Sequence, residues 1–170
     1  PGLNPILFKN GSDEQITWLP DPYKLLVETF DVRISILSAV NTKEMSGADP
    51  AKQALQGKAF GPMMQTFMDR SAKGELRWNV CMFPTNAYAQ DAEMSLADFE
   101  DFVYGACLCD RDDPVAAWKE VGRKQQMLVD YLKGKKEIHL VGEDTDLTVG
   151  IDGRTFVNCE GDRNMPDGEI

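Results

Sequence analysis

Histidine is nearly missing from this sequence. One residue, His139, is all the imidazole in 170 positions. A self-contained His-rich metal site, or a Ser-His-Asp or Cys-His nucleophile built within this stretch, is therefore hard to assemble. Basic residues are also scarce. Lys and Arg total 18 against 28 Asp and Glu, a net charge of −10. That argues against nucleic acid as a partner, because phosphate binding needs a basic face. It also disfavours an anionic membrane surface. No apolar run approaches the ~18 residues of a membrane span, and "PGLNPILFKN" has neither the basic region nor the apolar core of a signal peptide. The expectation is a cytoplasmic protein. No GxGxxG and no GxxxxGK[ST] occurs, so dinucleotide and P-loop signatures are absent. The four cysteines include no C-x-x-C pair. Cys107-Leu108-Cys109 has the wrong spacing for a redox or zinc pair, and apolar neighbours predict buried free thiols.

What is present is a globular composition, 42% hydrophobic and 27% charged, long enough for a proper core. The chain opens with the apolar run Leu3 to Lys9, which predicts a strand. "LPDPYKLLVETF" follows, with Asp21 as N-cap and Pro22 at the first helical position. "DVRISILSAV" is β-branched and mostly apolar, as a covered parallel strand should be. "ADPAKQALQGKAFGPMMQTFMDRSAKG" predicts a helix capped by Asp49, either interrupted near Gly61-Pro62 or split in two there. "ELRWNVCMFPT" is the next strand. This alternation predicts an α/β fold, a parallel-sheet βαβαβ domain with helices on both faces.

Two more helices carry clear start signals. Ser95 and Asp98 form a capping-box-like pair before "LADFEDFVYGA". Asp113 and Pro114 open the next helix, which stops at Gly134. After that the composition changes. "KEIHLVG", "DLTVGI" and "RTFVNC" read as short strands of an antiparallel meander, with a type I′ hairpin at Asp152-Gly153. The change near Lys133 to Lys136 divides the chain into an N-terminal α/β domain (1–134) and the beginning of a second domain (135–170). That stretch has too few strands to stand alone.

Among the candidate motifs, "CDRDDP" and "GEDTDL" lack the oxygen spacing of a Ca²⁺ loop, and a helix N-terminus and a turn explain them. His139 reads as a strand histidine. "NMPDGE" differs. Met165-Pro166-Asp167-Gly168 is a tight turn whose Pro and Gly set the backbone, and a rigid turn holds the next side chain, Glu169, in place. Glu169 is the candidate metal ligand, a hard oxygen donor suited to Zn²⁺, Co²⁺, Mn²⁺ or Mg²⁺. No catalytic residue and no other cofactor-binding residue stands out.

These segments together resemble a known family. "SLADFEDF", "DPVAAW", Thr145-Asp146-Leu147-Thr148, Gly153-Arg154 and above all Asn164 to Glu169 are similar to the thermophilic metalloprotease family, of the aminopeptidase T and aminopeptidase S type. The "TKEMSGADPAK" and "RWNVCMFPT" segments fit more loosely. The resemblance implies a two-domain, homodimeric metallo-aminopeptidase acting on peptides. Its site would hold two divalent ions (Zn, Co or Mg), with Glu169 as one ligand. On this reading the chain is an internal fragment, with the remaining ligands beyond Ile170, and is inactive by itself. The alternative is a non-enzymatic α/β assembly or ligand-binding module, flavodoxin-like in one version.

Overall fold

The computed structural model describes residues 2–170. Pro1 lies outside them. The chain is mixed α/β, and its contacts separate into two compact units. One extends to Val103 and the other runs from Tyr104 to Ile170.

The first unit opens with three helices, α1 (Asn4–Asn10), α2 (Asp13–Thr17) and α3 (Asp21–Thr29). The strand expected over Leu3 to Lys9 is therefore a helix. Pro5 sits in its first turn, where a missing N–H costs nothing, and only Phe8 of its apolar run is buried. The ammonium of Lys52 holds its C-terminal end, donating to the carbonyls of Phe8 (3.0 Å) and Gly11 (3.1 Å). A capping box that the sequence reading missed starts α2. Ser12 N–H donates to Gln15 Oε1, and Gln15 N–H to Ser12 Oγ. α3 begins one residue earlier than expected, with Pro20 at the cap.

β1 (Val32–Leu37) and β2 (Arg77–Met82) pair in parallel, Val32 opposite Arg77 through Leu37 opposite Met82. The crossover between them contains α4 (Pro50–Ala72), capped by Asp49. It is one continuous helix with Pro62 inside it. Phe60, Met63 and Phe67 flank the proline and pack with Val27, Leu76, Leu26 and Trp78. Burial of that face outweighs the one backbone hydrogen bond that Pro62 removes. Arg70 ties α4 to the end of α3 and to the turn before β2 by donating to the carbonyls of Val27, Phe30 and Glu75. A second cluster joins Ala89 of α5 (Asn86–Asp91) to Phe99 and Val103 of α6 (Leu96–Ala106). Ser95 starts α6 as expected, accepting from the Asp98 N–H and donating to the Asp98 carboxylate.

In the second unit α7 (Pro114–Leu132) is capped by Asp113. β3 (Glu137–Gly142) and β4 (Thr145–Gly150) form an antiparallel hairpin. Its turn places Asp144 at φ 52. The Asp152-Gly153 turn forms, with Arg154 N–H donating to Ile151 O. "RTFVNC", however, is not a strand. Beyond β4 the chain is irregular until Cys159, and two strands of the expected meander form there. Alternation supplied the strand signal, but among the described residues no neighbouring strand takes up the backbone groups of 154–158. The thiols are free, as expected, but Cys109 is exposed and Cys81 and Cys159 are only half-buried.

On α7, Arg123 makes a two-point contact with Glu120 at 2.7 and 2.8 Å. It holds the Glu120 carboxyl at about 2, down from the usual 4.5. A depressed carboxylate contributes stability above its unfolded value and loses it as pH falls. The pair is solvent-exposed, so its effect is small and salt-sensitive. Glu120→Gln should lower the melting temperature at neutral pH. The gap from the parent chain should close between about pH 4.5 and 2, and shrink in high salt. A gap constant across that range in thermal denaturation would contradict the assignment.

Candidate metal centre

The site is built on α7. Gly122 is buried, and a Cβ there would run into the Glu160 side chain, which would have to move aside. Asn158 donates to the Gly122 carbonyl at 3.0 Å. Three residues further on, Gln125 donates its side-chain amide to the Glu169 carbonyl at 2.6 Å and to the Cys159 carbonyl at 3.4 Å. A single side chain thus holds both ends of the 159–169 loop.

Cys159 and Glu169 also pair with each other. They form an isolated antiparallel bridge, with Cys159 N–H donating to Glu169 O at 3.0 Å and Gly168 N–H to Cys159 O at 3.2 Å. Residues directly opposite in antiparallel pairing present their side chains on the same face. Asp167, two positions before Glu169, joins them. Its Oδ2 accepts from Gly161 N–H at 2.9 Å, closing the loop across its middle. Gly168 sits at φ 115, a conformation that a side chain would strain. The rigid turn read from "MPDGE" is present, and its Met165–Pro166 peptide is cis. The outcome is that Cys159 Sγ and one oxygen each of Asp167 and Glu169 lie within 4.8 Å of one another.

The chemistry of this donor set suits a cation. Burial pushes the Cys159 thiol pKa up, and the carboxylates of Asp167, Glu169 and Asp162 push it further, against a smaller opposing effect of Arg163. A cluster that disfavours a further negative charge is one that a positive ion would stabilise. Tetrahedral ligation at bond lengths of about 2.0–2.3 Å sets donor atoms about 3.3–3.8 Å apart. Donors already within 4.8 Å need only small side-chain rotations to reach that spacing. Cys159 and Glu169 also line a groove of about 540 Å³, with Ile151, Phe156 and Val157 as apolar wall and Arg154 as its cationic member.

Other residues singled out from the sequence lie elsewhere. His139 Nε2 pairs with Asp146 Oδ1 at 2.7 Å across the β3–β4 hairpin, and both side chains are exposed. Asp113 is occupied at the α7 cap, accepting from Ala116 N–H. Sequence reasoning singled out Glu169 and did not name Cys159, Asp167 or Gln125 as its neighbours. One signal was available. Gly161 and Gly168 bracket a reversal, which returns Asp167 and Glu169 alongside Cys159.

The sequence profile of the family described as thermophilic metalloprotease (M29) matches residues 1–170. The chain belongs to that family. Aminopeptidase 2 of Geobacillus stearothermophilus is 27% identical over 113 residues, which is 63% of this chain and 27% of that protein. Aminopeptidase T of Thermus thermophilus is 23% identical over 151 residues, 84% of this chain and 37% of the relative. The solved structure of wild-type AmpT from Thermus thermophilus superposes with a TM-score of 0.68 at 18% identity, covering 97% of this chain and 45% of that one. At that identity the superposition speaks for the fold. The chain spans well under half the length of each of these relatives.

The M29 chain's loop geometry makes one checkable claim. Gln125→Leu removes the amide that holds the Glu169 carbonyl while keeping bulk against α7. Amide exchange at Cys159 and Gly168 should quicken by about tenfold, the loss of roughly one hydrogen bond. The β3–β4 amides should be unchanged. Equal exchange in both chains would show that Gln125 does not hold the loop.

Proposed function

We propose that this chain carries one metal-binding turn of a divalent-metal-dependent aminopeptidase, with Glu169 as the ligand. The observation that carries the reading is the position of the Glu169 carboxylate, set by the Gly168 turn and the Cys159 bridge inside a cluster of anionic donors. Membership of a metalloprotease family and similarity to named aminopeptidases support it. On this proposal residues 135–170 open the catalytic domain and 1–134 form the domain before it. Two ions (Zn, Co or Mg) when bound supply water activation and polarisation of the scissile carbonyl. Glu169 holds one of them through an oxygen. The acidic neighbours Asp167 and Asp162 favour the protonated amine of a peptide N-terminus. The apolar wall of Ile151, Phe156 and Val157 accepts a side chain.

Cys159, Asp167 and Glu169 are the one cluster of three such donors among the described residues. Three donors suffice for one ion and not for two, and His139 is engaged with Asp146. We therefore infer that the chain as it stands has no peptidase activity. Incubated with Co²⁺ or Zn²⁺ and an aminoacyl-anilide, it should release no amine. Turnover that disappears in Glu169→Gln would overturn the inactivity. In calorimetric titration with Zn²⁺, Glu169→Gln should bind at least about tenfold more weakly than the parent chain. Unchanged affinity would remove Glu169 from the site.

The same reading includes a cytoplasmic homodimer. No helix among the described residues is long and apolar enough to cross a membrane. The side chains of Val32, Ile34 and Ile36 on β1 are all exposed. They also favour the second reading, a non-enzymatic assembly module, since exposed β-branched residues on a strand invite pairing. Sedimentation velocity over a hundredfold concentration range should show a monomer–dimer equilibrium. A monomer throughout would dispose of the dimer.

A further inference from the structure

We propose that the second unit carries a binding site for a free α-amino acid with a large apolar side chain, in a cavity between α7 and the 159–169 loop. The site is separate from the Glu169 groove and needs no metal. The cavity has a volume of about 500 Å³, and every residue lining it belongs to the second unit. Val115, Trp118 and Lys119 line it from α7, at the i, i+3 and i+4 spacing that brings helix side chains onto one face. Trp118 donates its indole N–H to the Cys107 carbonyl at 2.8 Å, which leaves the apolar ring for the cavity. Met165 adds apolar surface from the loop. Gly161 sits at φ 96, and a Cβ there would come within 3.0 Å of Met165 Cε and 3.6 Å of Trp118 Cε3. Glycine therefore leaves open the space beside both side chains.

Two opposite charges complete the lining. Lys119 and Glu160 border one cavity without forming an ion pair, and among the described residues the Lys119 ammonium has no hydrogen-bond or ion-pair partner. Glu160 Oε2 accepts a long bond from Asn158 Nδ2, at 3.4 Å. Asp162, the other carboxylate of the lining, has Arg163 beside it at 3.9 Å. An apolar cavity with a few placed charged groups is the general form of a small-ligand site. One occupant meets all of these groups together. Its carboxylate faces Lys119, its ammonium faces Glu160, and its side chain lies against Trp118 and Met165. That is the zwitterion of an apolar α-amino acid. A simple ion would satisfy one charge and leave the apolar wall bare, and an apolar molecule would desolvate both charges without pairing them. A free amino acid is also the class of product that an aminopeptidase releases, so the site would retain product of the reaction proposed above.

The test titrates L-phenylalanine into the intact 170-residue chain in buffer containing a chelator, so that no result depends on a metal or on Glu169. Binding should saturate, followed by calorimetry and by the NMR signal of the Trp118 indole N–H, while the indole signals of Trp18 and Trp78 stay in place. L-phenylalaninamide lacks the carboxylate and N-acetyl-L-phenylalanine lacks the ammonium. Each should bind at least about tenfold more weakly, the loss of one charge-assisted hydrogen bond. Glycine, with no side chain, should not compete. Lys119→Met should weaken phenylalanine binding by about tenfold and make phenylalanine and its amide bind equally. Glu160→Gln should likewise erase the preference over the acetylated form. Lys119 is exposed, so its replacement leaves the fold intact and keeps the test decisive. No saturable shift at the Trp118 indole would overturn the site. Equal binding of all three phenylalanine compounds, unchanged in Lys119→Met, would reduce it to apolar adsorption and overturn the amino-acid assignment. Either failure would leave the Glu169 reading untouched.

Discussion

The backbone pairing of Cys159 with Glu169 is the constraint on which the candidate centre depends. It is short, an isolated bridge instead of a ladder, and it would be weak alone. Three reinforcements come from outside it. Gln125 on α7 reaches both paired carbonyls, Asp167 closes the enclosed loop onto Gly161, and Gly122 leaves room for the Glu160 side chain against the helix. The helix acts as a rigid rail, and the loop is an irregular segment laid upon it. A side chain placed in this way keeps its position because several independent contacts would have to fail together.

Electrostatics works in the same direction. The chain is strongly acidic overall. Several of its carboxylates are satisfied one at a time: Glu120 by Arg123, Asp130 by Lys133, Asp91 by Lys43. Around Cys159 the balance differs: burial and the carboxylates of Asp167, Glu169 and Asp162 push the thiol pKa up against a smaller opposing effect of Arg163. Local excess of negative charge beside a soft donor is what separates this loop from the ordinary acidic surface of the hairpin, where His139 and Asp146 satisfy each other.

Much of the fold was legible because its signals are local. Asp49-Pro50, Ser95–Asp98 and Asp113-Pro114 start helices through contacts within three residues, so sequence spacing alone locates them. β1 and β2 are β-branched or apolar runs bounded by helices, and their parallel pairing follows from the crossover. The misreadings were non-local. Leu3 to Lys9 has strand composition, but its carbonyls are met by Lys52, forty-odd positions away, and by its own helical turn. Pro62 would ordinarily break a helix, and only the packing of Met63 and Phe67 against Val27 and Leu76 explains its continuity. "RTFVNC" alternates like a strand, yet a strand exists only where a partner strand meets it.

The amino-acid sequence by itself determined the helix starts, the parallel pair, the acidic surface and the stiff turn ahead of Glu169. Each of these rests on the properties of residues a few positions apart. Only the tertiary structure decided what Glu169 faces. Cys159 lies ten residues earlier and Gln125 forty-four residues earlier, and nothing in either local sequence names the other. The reversal across Gly161 and Gly168, the groove beside α7 and the amide of Gln125 bring them together. A metal ligand is defined by the donors that share its point in space, and that is a property of the fold.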